Sequence, residues 1–185
     1  MVDKAVVRCA VRLGALALSF GLVSAQTAGR VAPGGSNQRV SVEGCLGEYL
    51  FNGIWRLRVR EARADGDRYV VTAELRNGTR VPVNLVDTGI HGDGSAFLTL
   101  ADDASLSLSP AQGIYFDQFA SKAVPPAGAA VYTFRFRSEG NKAAPQKFLL
   151  QIDLDQYNKN RRRFAGRVGY TVADPSFRVN LTCKK

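Results

Sequence analysis

Arginine is the side chain whose type and spacing in this sequence of 185 residues most strongly indicate chemistry. Two groups stand out: Arg56, Arg58 and Arg60 at every second position, and the consecutive Arg161, Arg162 and Arg163. Guanidinium groups suit contacts to carboxylates and phosphates, so a surface carrying both groups would bind phosphates or sulfated and anionic sugars through charge. The alternative is a solvated sheet face, on which the arginines only discourage edge-to-edge aggregation.

Aromatic side chains decide whether such a surface could also stack nucleic-acid bases. Proteins that bind single-stranded nucleic acids interleave exposed aromatic residues with basic ones. In this sequence the aromatic residues, such as Trp55 beside Arg56, fall on the parity that we expect to be buried. The pattern therefore favours binding through charge over binding through stacking.

Hydrolytic and zinc chemistry are poorly supported. The sequence has one histidine, His91, in a glycine-rich segment, and Gly92-Asp93-Gly94-Ser95-Ala96 lacks the final glycine of a nucleophile elbow. One histidine and two paired cysteines also leave too few ligands for zinc. We therefore expect no enzymatic activity and no cofactor or metal.

Acidic residues keep two alternatives open. Asp153 and Asp155 alternate like calcium ligands, but Tyr157 occupies the third ligand position and no glutamate closes the loop. A glycoside hydrolase would need two carboxylates about 5 to 10 Å apart in a cleft. The candidates for either role are Asp93, Asp102, Asp103, Asp153 and Asp155.

The beginning of the chain predicts export. Three basic residues precede an apolar run over residues 13–23, which ends in Val23-Ser24-Ala25. This pattern is typical of a signal peptide over residues 1–25, and the run is too short for a membrane span of about 20 residues. A flexible linker is predicted over residues 26–37 and a β-sandwich domain over residues 38–185. The formal net charge of +9 falls to +7 without the leader.

Two cysteines remain after the leader, Cys45 and Cys183. Because an exported chain meets an oxidising compartment, we expect them to form a disulfide that ties the last strand to the first. The alternative is a pair of free or redox-active thiols.

Alternating apolar and polar residues predict strands along most of the domain. The segments with this period are residues 55–60, 68–76, 81–85, 97–100, 132–136, 148–154, 168–172 and 177–181. Residues 64–67 read as a turn, and Asn77-Gly78 predicts a second tight hairpin. Helical periodicity is nearly absent. Irregular connections favour an antiparallel sandwich with Greek-key connections over an up-and-down barrel.

A family resemblance adds to this expectation. The segment GEYLFNGIWRLRV over residues 47–59, the segment ELRNGT over residues 74–79, and Pro126-Ala127-Gly128 before a Phe-rich strand are its motifs. Together they resemble small exported bacterial immunoglobulin-like domains of unknown function, some of which carry a telomeric-repeat-binding-factor-like label. The resemblance spans residues 42–154, and it implies an immunoglobulin-like all-β fold and no activity.

The sequence therefore predicts a secreted or periplasmic, non-enzymatic β-sandwich without a transmembrane anchor. Its expected role is binding or structural at the cell envelope. An anionic envelope polymer or another protein is the candidate partner, and polyanion binding through the arginines is the alternative function.

Overall fold

The computed structural model describes residues 41–92 and 94–184. The predicted signal peptide and linker lie outside the described residues, as does Asp93. None of the described helices is long and apolar enough to cross a membrane.

The described chain forms a β-sandwich of two sheets. Its strands are β1 (Val42–Leu46), β2 (Leu50–Phe51), β3 (Trp55–Asp65), β4 (Arg68–Asn77), β5 (Ala96–Leu100), β6 (Ser105–Ser107), β7 (Ala129–Arg137), β8 (Pro145–Leu150) and β9 (Phe177–Lys184). One sheet has the order β1-β9-β8-β5-β6 and the other the order β2-β3-β4-β7. Strands β1 and β9 are parallel, and the other pairs are antiparallel.

The core lies between the two sheets and follows the predicted alternation. Trp55, Leu57 and Val59 are completely buried in β3. Across the sandwich, the Phe134 ring on β7 packs 5.2 Å from the Phe148 ring on β8. Burial of such aromatic side chains supplies most of the driving force for packing the sheets together.

A long hairpin of β3 and β4 forms at the predicted turn. The cross-strand pair Asp65 and Arg68 closes a loop of two residues, Gly66 and Asp67. Gly66 has a φ of 62°, a conformation that glycine adopts at little cost. The prediction of a turn over residues 64–67 is confirmed.

The predicted second hairpin, with Asn77-Gly78 as its turn, is not formed. After β4 the chain leaves the sheet, and Val83 forms only an isolated bridge with Val124. The buried Asn77 side chain is the physical reason, since its amide donates to the Val124 carbonyl and its oxygen accepts from the Thr79 N–H. These bonds stabilise an irregular loop instead of a two-residue turn.

Two α-helices in the described part of the chain contradict the expectation that the domain contains almost no helix. They are α1 (Pro110–Ala120) and α2 (Leu154–Asn160). Each begins at a side-chain cap, because Ser109 accepts from the N–H of Gln112 and Asp153 from the N–H of Gln156. Helix α1 shows little amphipathic pattern, since large apolar residues, including Tyr115, lie on its exposed side, and this hides its period in the sequence. A 3₁₀ helix, Val86–Thr88, precedes β5.

The strand predicted over residues 168–172 is also absent. Tyr170 instead donates its hydroxyl to the carbonyl oxygen of Thr88, and the Val168 carbonyl accepts from the Tyr157 hydroxyl. Burial raises the pKa of Tyr170. The segment also packs against α2, with the Tyr157 and Tyr170 rings 4.9 Å apart. These side-chain contacts, and not the backbone hydrogen bonds of a strand, hold it in position.

Cys45 on β1 and Cys183 on β9 form a disulfide, with Cα atoms 5.2 Å apart. The predicted pairing of first and last strands is confirmed, and the separation lies within the usual range for a disulfide.

Candidate anion-binding face

The outer surface of the sheet β2-β3-β4-β7 carries the first arginine group. Arg56 is exposed and Arg58 half-buried, whereas their neighbours Trp55 and Leu57 point into the core. We call the side chains at this place the arginine face. It consists of Tyr49, Phe51, Arg56, Arg58, Arg60, Glu74 and Arg76.

Arg60 lies on this face at a β-bulge. The register of β3 against β4 shifts between Val59 and Glu61, so Arg60 has no cross-strand partner. A bulge inserts one residue and reverses the parity that follows. Consistent with this, Ala62 pairs with the buried Val71.

Glu74 is the acidic centre of the arginine face. Its side chain is only 1% exposed, although it lies on the outward side of β4. Arg60 donates to one carboxylate oxygen from Nε at 3.0 Å and Nη2 at 2.6 Å, and Arg76 donates to the other from Nε. The Tyr49 hydroxyl lies 3.4 Å from both oxygens.

The charge of Glu74 follows from these contacts. Burial opposes ionisation, but the hydrogen bonds from Arg60 and Arg76 outweigh it, so the pKa of Glu74 lies below its ordinary value. The carboxylate is therefore charged at neutral pH and fixes two guanidinium groups.

Two aromatic rings hold the remaining guanidinium groups. Arg56 lies 4.8 Å from the centre of the Phe51 ring, and Arg58 lies 5.2 Å from that of Tyr49. The Tyr49 ring also contacts Arg76, at 5.9 Å. The Nε of Arg58 is buried and has no hydrogen-bond partner among the described residues, so cation–π contact positions this side chain.

These rings correct the expectation that aromatic residues fall only on the buried side. Tyr49 and Phe51 are 44% and 40% exposed. Each ring already has a guanidinium group of the same molecule as a partner, Arg56 over Phe51 and Arg58 over Tyr49. The arginine face therefore presents positive charge held on aromatic supports.

The second arginine group lies outside the strands, in a short helical turn. Arg161–Phe164 is a 3₁₀ helix that follows α2. Arg163 forms an ion pair with Asp87 at 2.7 Å, and Arg161 and Arg162 line a cavity of about 540 Å³ beside Tyr157.

The two arginine groups have different surroundings. Arg56 and Arg76 line a different cavity from Arg161 and Arg162. Carboxylates of different strands and loops also hold them, Glu74 in the first group and Asp87 in the second. The first group is thus the better defined site.

The acidic residues proposed for catalysis divide between two places. Asp153 and Asp155 line a cavity of about 600 Å³ with His91, Asp174 and Arg178. The other pair, residues 102–103, follows β5 at the opposite end of the β5–β8 ladder.

Structural roles occupy several of these groups. Asp153 caps α2 and lies 3.5 Å from Nε2 of His91. The hydrogen bond from the Gln156 N–H is the largest influence on the pKa of Asp153, which lies below its ordinary value. Asp102 accepts from Asn141 and from the Ala104 N–H, which lower its pKa. Among the described residues, no three acidic, histidine or cysteine side chains cluster closely enough to hold a metal.

Sequence reasoning missed several members of the arginine face. Tyr49 and Phe51 precede the predicted strand, and Arg76 and Glu74 were not singled out. Glu74 carried a usable signal, because it lies on the outward parity of β4, directly opposite Arg58. A carboxylate opposite an arginine on one sheet face is a favourable cross-strand pair.

The two-sheet architecture places the chain among the β-sandwich proteins. No protein-family model matches the chain, and no curated protein matches it. Two solved structures are similar to it: the YjhA protein from Bacillus subtilis and an uncharacterized beta-sandwich protein from Clostridium difficile 630. Each is 9% identical, with a TM-score of 0.43. The first match covers 76% of this chain and 98% of YjhA, and the second covers 81% and 100%.

Proposed function

We propose that this protein is an exported, non-enzymatic binding domain of the cell envelope whose arginine face binds a polyanion. One observation carries the proposal: four guanidinium groups are held on one sheet surface, two by the carboxylate of Glu74 and two by aromatic rings. The net charge of this group is positive, and its supports fix the side chains before any ligand arrives. Such preorganisation lowers the entropic cost of binding.

Cross-strand geometry favours a binding role over a purely structural one. Arg56 and Arg76 are direct partners across β3 and β4. Like charges in that position destabilise a sheet, whereas a bound anion would relieve the repulsion. The anionic polymer of an envelope, rich in phosphate or sulfate, is the proposed partner.

Export and family membership are part of the same proposal. The disulfide supports an oxidising compartment, either secreted or periplasmic, and agrees with a signal peptide over residues 1–25. The strand order supports an immunoglobulin-like Greek key, since β3, β4 and β7 lie in one sheet while β5, β6, β8 and β9 lie in the other. We assign no telomeric-repeat function.

The test is salt-dependent retention on immobilised heparin. The mature protein should elute late at low ionic strength and progressively earlier as salt rises. The double reversal Arg56→Glu with Arg58→Glu should elute at clearly lower salt, because two positive charges become negative. Circular dichroism checks that the variant folds, and the milder Arg56→Gln with Arg58→Gln gives a second measurement.

A matched control is Arg161→Glu with Arg162→Glu, which changes the net charge equally at the other arginine group. It should lower retention far less. Equal losses in both double variants would mean that net charge, and not the arginine face, binds the polymer. Absence of salt-dependent retention in the unmodified protein would refute polyanion binding.

A further inference from the structure

The cavity lined by Arg56 and Arg76 opens at one end of the arginine face and contains three arginines. Its volume is about 500 Å³, and its lining includes Arg56, Arg76 and Arg80 with Thr79 and Ala127. No acidic residue contributes to this lining. The cavity is therefore strongly electropositive and suited to an anion.

Arg80 has neither a carboxylate partner nor an aromatic support among the described residues. Within the described chain it takes part in no ion pair, whereas Arg76 shares Glu74 with Arg60. Arg56 is supported by the Phe51 ring alone. Among the three arginines of the cavity, only Arg76 contacts a carboxylate, and it does so through Nε. The terminal guanidinium nitrogens of all three therefore remain available as hydrogen-bond donors.

The loop that carries Arg80 is fixed by hydrogen bonds. Asn77 donates its amide to the carbonyl oxygens of Val81 and Val124, and its oxygen accepts from the N–H and hydroxyl of Thr79. The backbone of Asn77 also bonds to that of Ala127. Residues 77–81 therefore present Arg80 from a defined position.

Gly78 joins this loop to the aromatic support. A Cβ atom at Gly78 would lie 2.6 Å from the Phe51 ring, which shows how closely the ring packs over the loop. The same ring lies under the Arg56 guanidinium. The Phe51 ring therefore contacts both Gly78 in the cavity lining and Arg56, one of the three cations of the cavity.

The number of guanidinium groups in the cavity indicates which kind of phosphate ester it would bind. A phosphate diester carries one negative charge and two free oxygens, whereas a monoester is a dianion near neutral pH with three free oxygens. Three guanidinium groups, each able to bind in a bidentate fashion, match the monoester better.

We propose that the cavity of Arg56, Arg76 and Arg80 binds a terminal phosphate monoester carried by the polymer that lies along the arginine face. This assignment rests on the proposed polyanion function and adds the chemical group that is recognised.

The experiment is an amide chemical-shift titration by NMR with methyl phosphate at low ionic strength and pH 7.5. Binding should shift the amide signals of Gly78, Thr79 and Arg80. Arg80→Gln should weaken affinity about tenfold or more, because charge-assisted hydrogen bonds are lost. The control Arg135→Gln removes an exposed arginine of β7, on the same outer sheet surface, and should leave the affinity unchanged.

Two further ligands define the chemistry. Dimethyl phosphate, a diester, should bind far more weakly than methyl phosphate. A dextran substituted with phosphate monoesters should bind more tightly per phosphate than methyl phosphate, since the arginine face contacts the rest of the polymer. Equal affinity per phosphate would overturn the polymer part of the proposal.

The outcomes separate this inference from the proposed function. If heparin retention depends on Arg56 and Arg58 but methyl phosphate causes no shifts at residues 78–80, the monoester site is wrong and polyanion binding stands. If Arg80→Gln and Arg135→Gln weaken methyl phosphate binding equally, the cavity is not the site. If the unmodified protein binds neither heparin nor methyl phosphate, both proposals are refuted.

Discussion

At the scale of single residues, Glu74 shows how a charged group can be buried on the outside of a sheet. Its carboxylate is covered by Arg60, Arg76 and Tyr49, which supply the hydrogen bonds that water would otherwise provide. A buried charge is tolerated only when paired and hydrogen-bonded in this way. Removing it should therefore affect both stability and the order of the arginines.

We expect Glu74→Gln to lower the free energy of unfolding by about 1–2 kcal/mol, because two half-exposed guanidinium groups lose a charged acceptor. Urea denaturation at pH 7 measures this difference. Glu43→Gln, at an exposed position on β1, is the control and should change the free energy little.

The effect of Glu74→Gln on the free energy of unfolding should depend on pH. Because the pKa of folded Glu74 is lowered, its stabilisation is complete above the pKa of an unfolded glutamate, about 4.3. It is lost as pH falls through the lower folded value. The stability gap between the unmodified protein and Glu74→Gln should therefore narrow below about pH 4.3, and a gap that stays constant would contradict the assigned role.

Residue types alone predicted part of this site. The outward positions of Arg56 and Arg58 follow from their alternation with the buried Trp55 and Leu57. The support of Arg58 by Tyr49 could not be predicted, because it depends on how β2 pairs with β3. The spacing of residues in the sequence indicates which face of a strand a side chain lies on. It does not show which side chains of a neighbouring strand pack against it.

At the scale of elements, the backbone of helix α1 lies unusually close to the backbone of the loop before β5. A Cβ atom on Gly92 would lie 2.0 Å from the carbonyl oxygen of Gly113 in α1. Two backbones meet there with no room for a side chain. This contact helps to position α1 over the open side of the core, where the Phe116 ring packs 5.2 Å from Phe134.

Gly92→Ala should consequently destabilise the protein by about 2–4 kcal/mol, since backbone atoms of α1 must move to accept the methyl group. Gly94→Ala is the comparison in the same loop. Gly94 has a φ of 75° and open space around its Cα, so this variant should cost about 1 kcal/mol of backbone strain. Thermal unfolding of both proteins measures the difference, and equal costs would show that the close approach is unimportant.

Sequence patterns predicted strands better than helices for a physical reason. Strands such as β7 bury alternate residues, and their period of two is visible directly. Helix α2 has only seven residues and depends on its cap at Asp153 and on packing by Tyr157. Short helices of this kind owe their stability to tertiary contacts, which a local period does not contain.

At the scale of the whole molecule, the disulfide joins β1 to β9, the first and last of the described strands, across a sequence separation of 138 residues. Closing so long a loop reduces the entropy of the unfolded chain and should stabilise the fold by about 5 kcal/mol in the chain-entropy model. This pairing was predictable from cysteine counting, because only Cys45 and Cys183 follow the predicted leader.

Reduction should accordingly lower the urea midpoint of unfolding, by an amount equivalent to a few kcal/mol. Denaturation with and without reductant measures the change, and the double variant Cys45→Ser with Cys183→Ser should match the reduced protein and be insensitive to reductant. An unchanged midpoint, or titration of two free thiols in the oxidised protein, would refute the stabilising role.

The parallel pairing of β1 with β9 also determines how the domain responds to mechanical tension. A force that pulls the start of β1 and the end of β9 in opposite directions loads the ladder between them in shear, so its hydrogen bonds resist together instead of opening one by one. The Cys45–Cys183 bond then transmits the load covalently from one strand to the other. The chain between the two cysteines lies outside the load path, and an oxidised domain would hold its length while under tension.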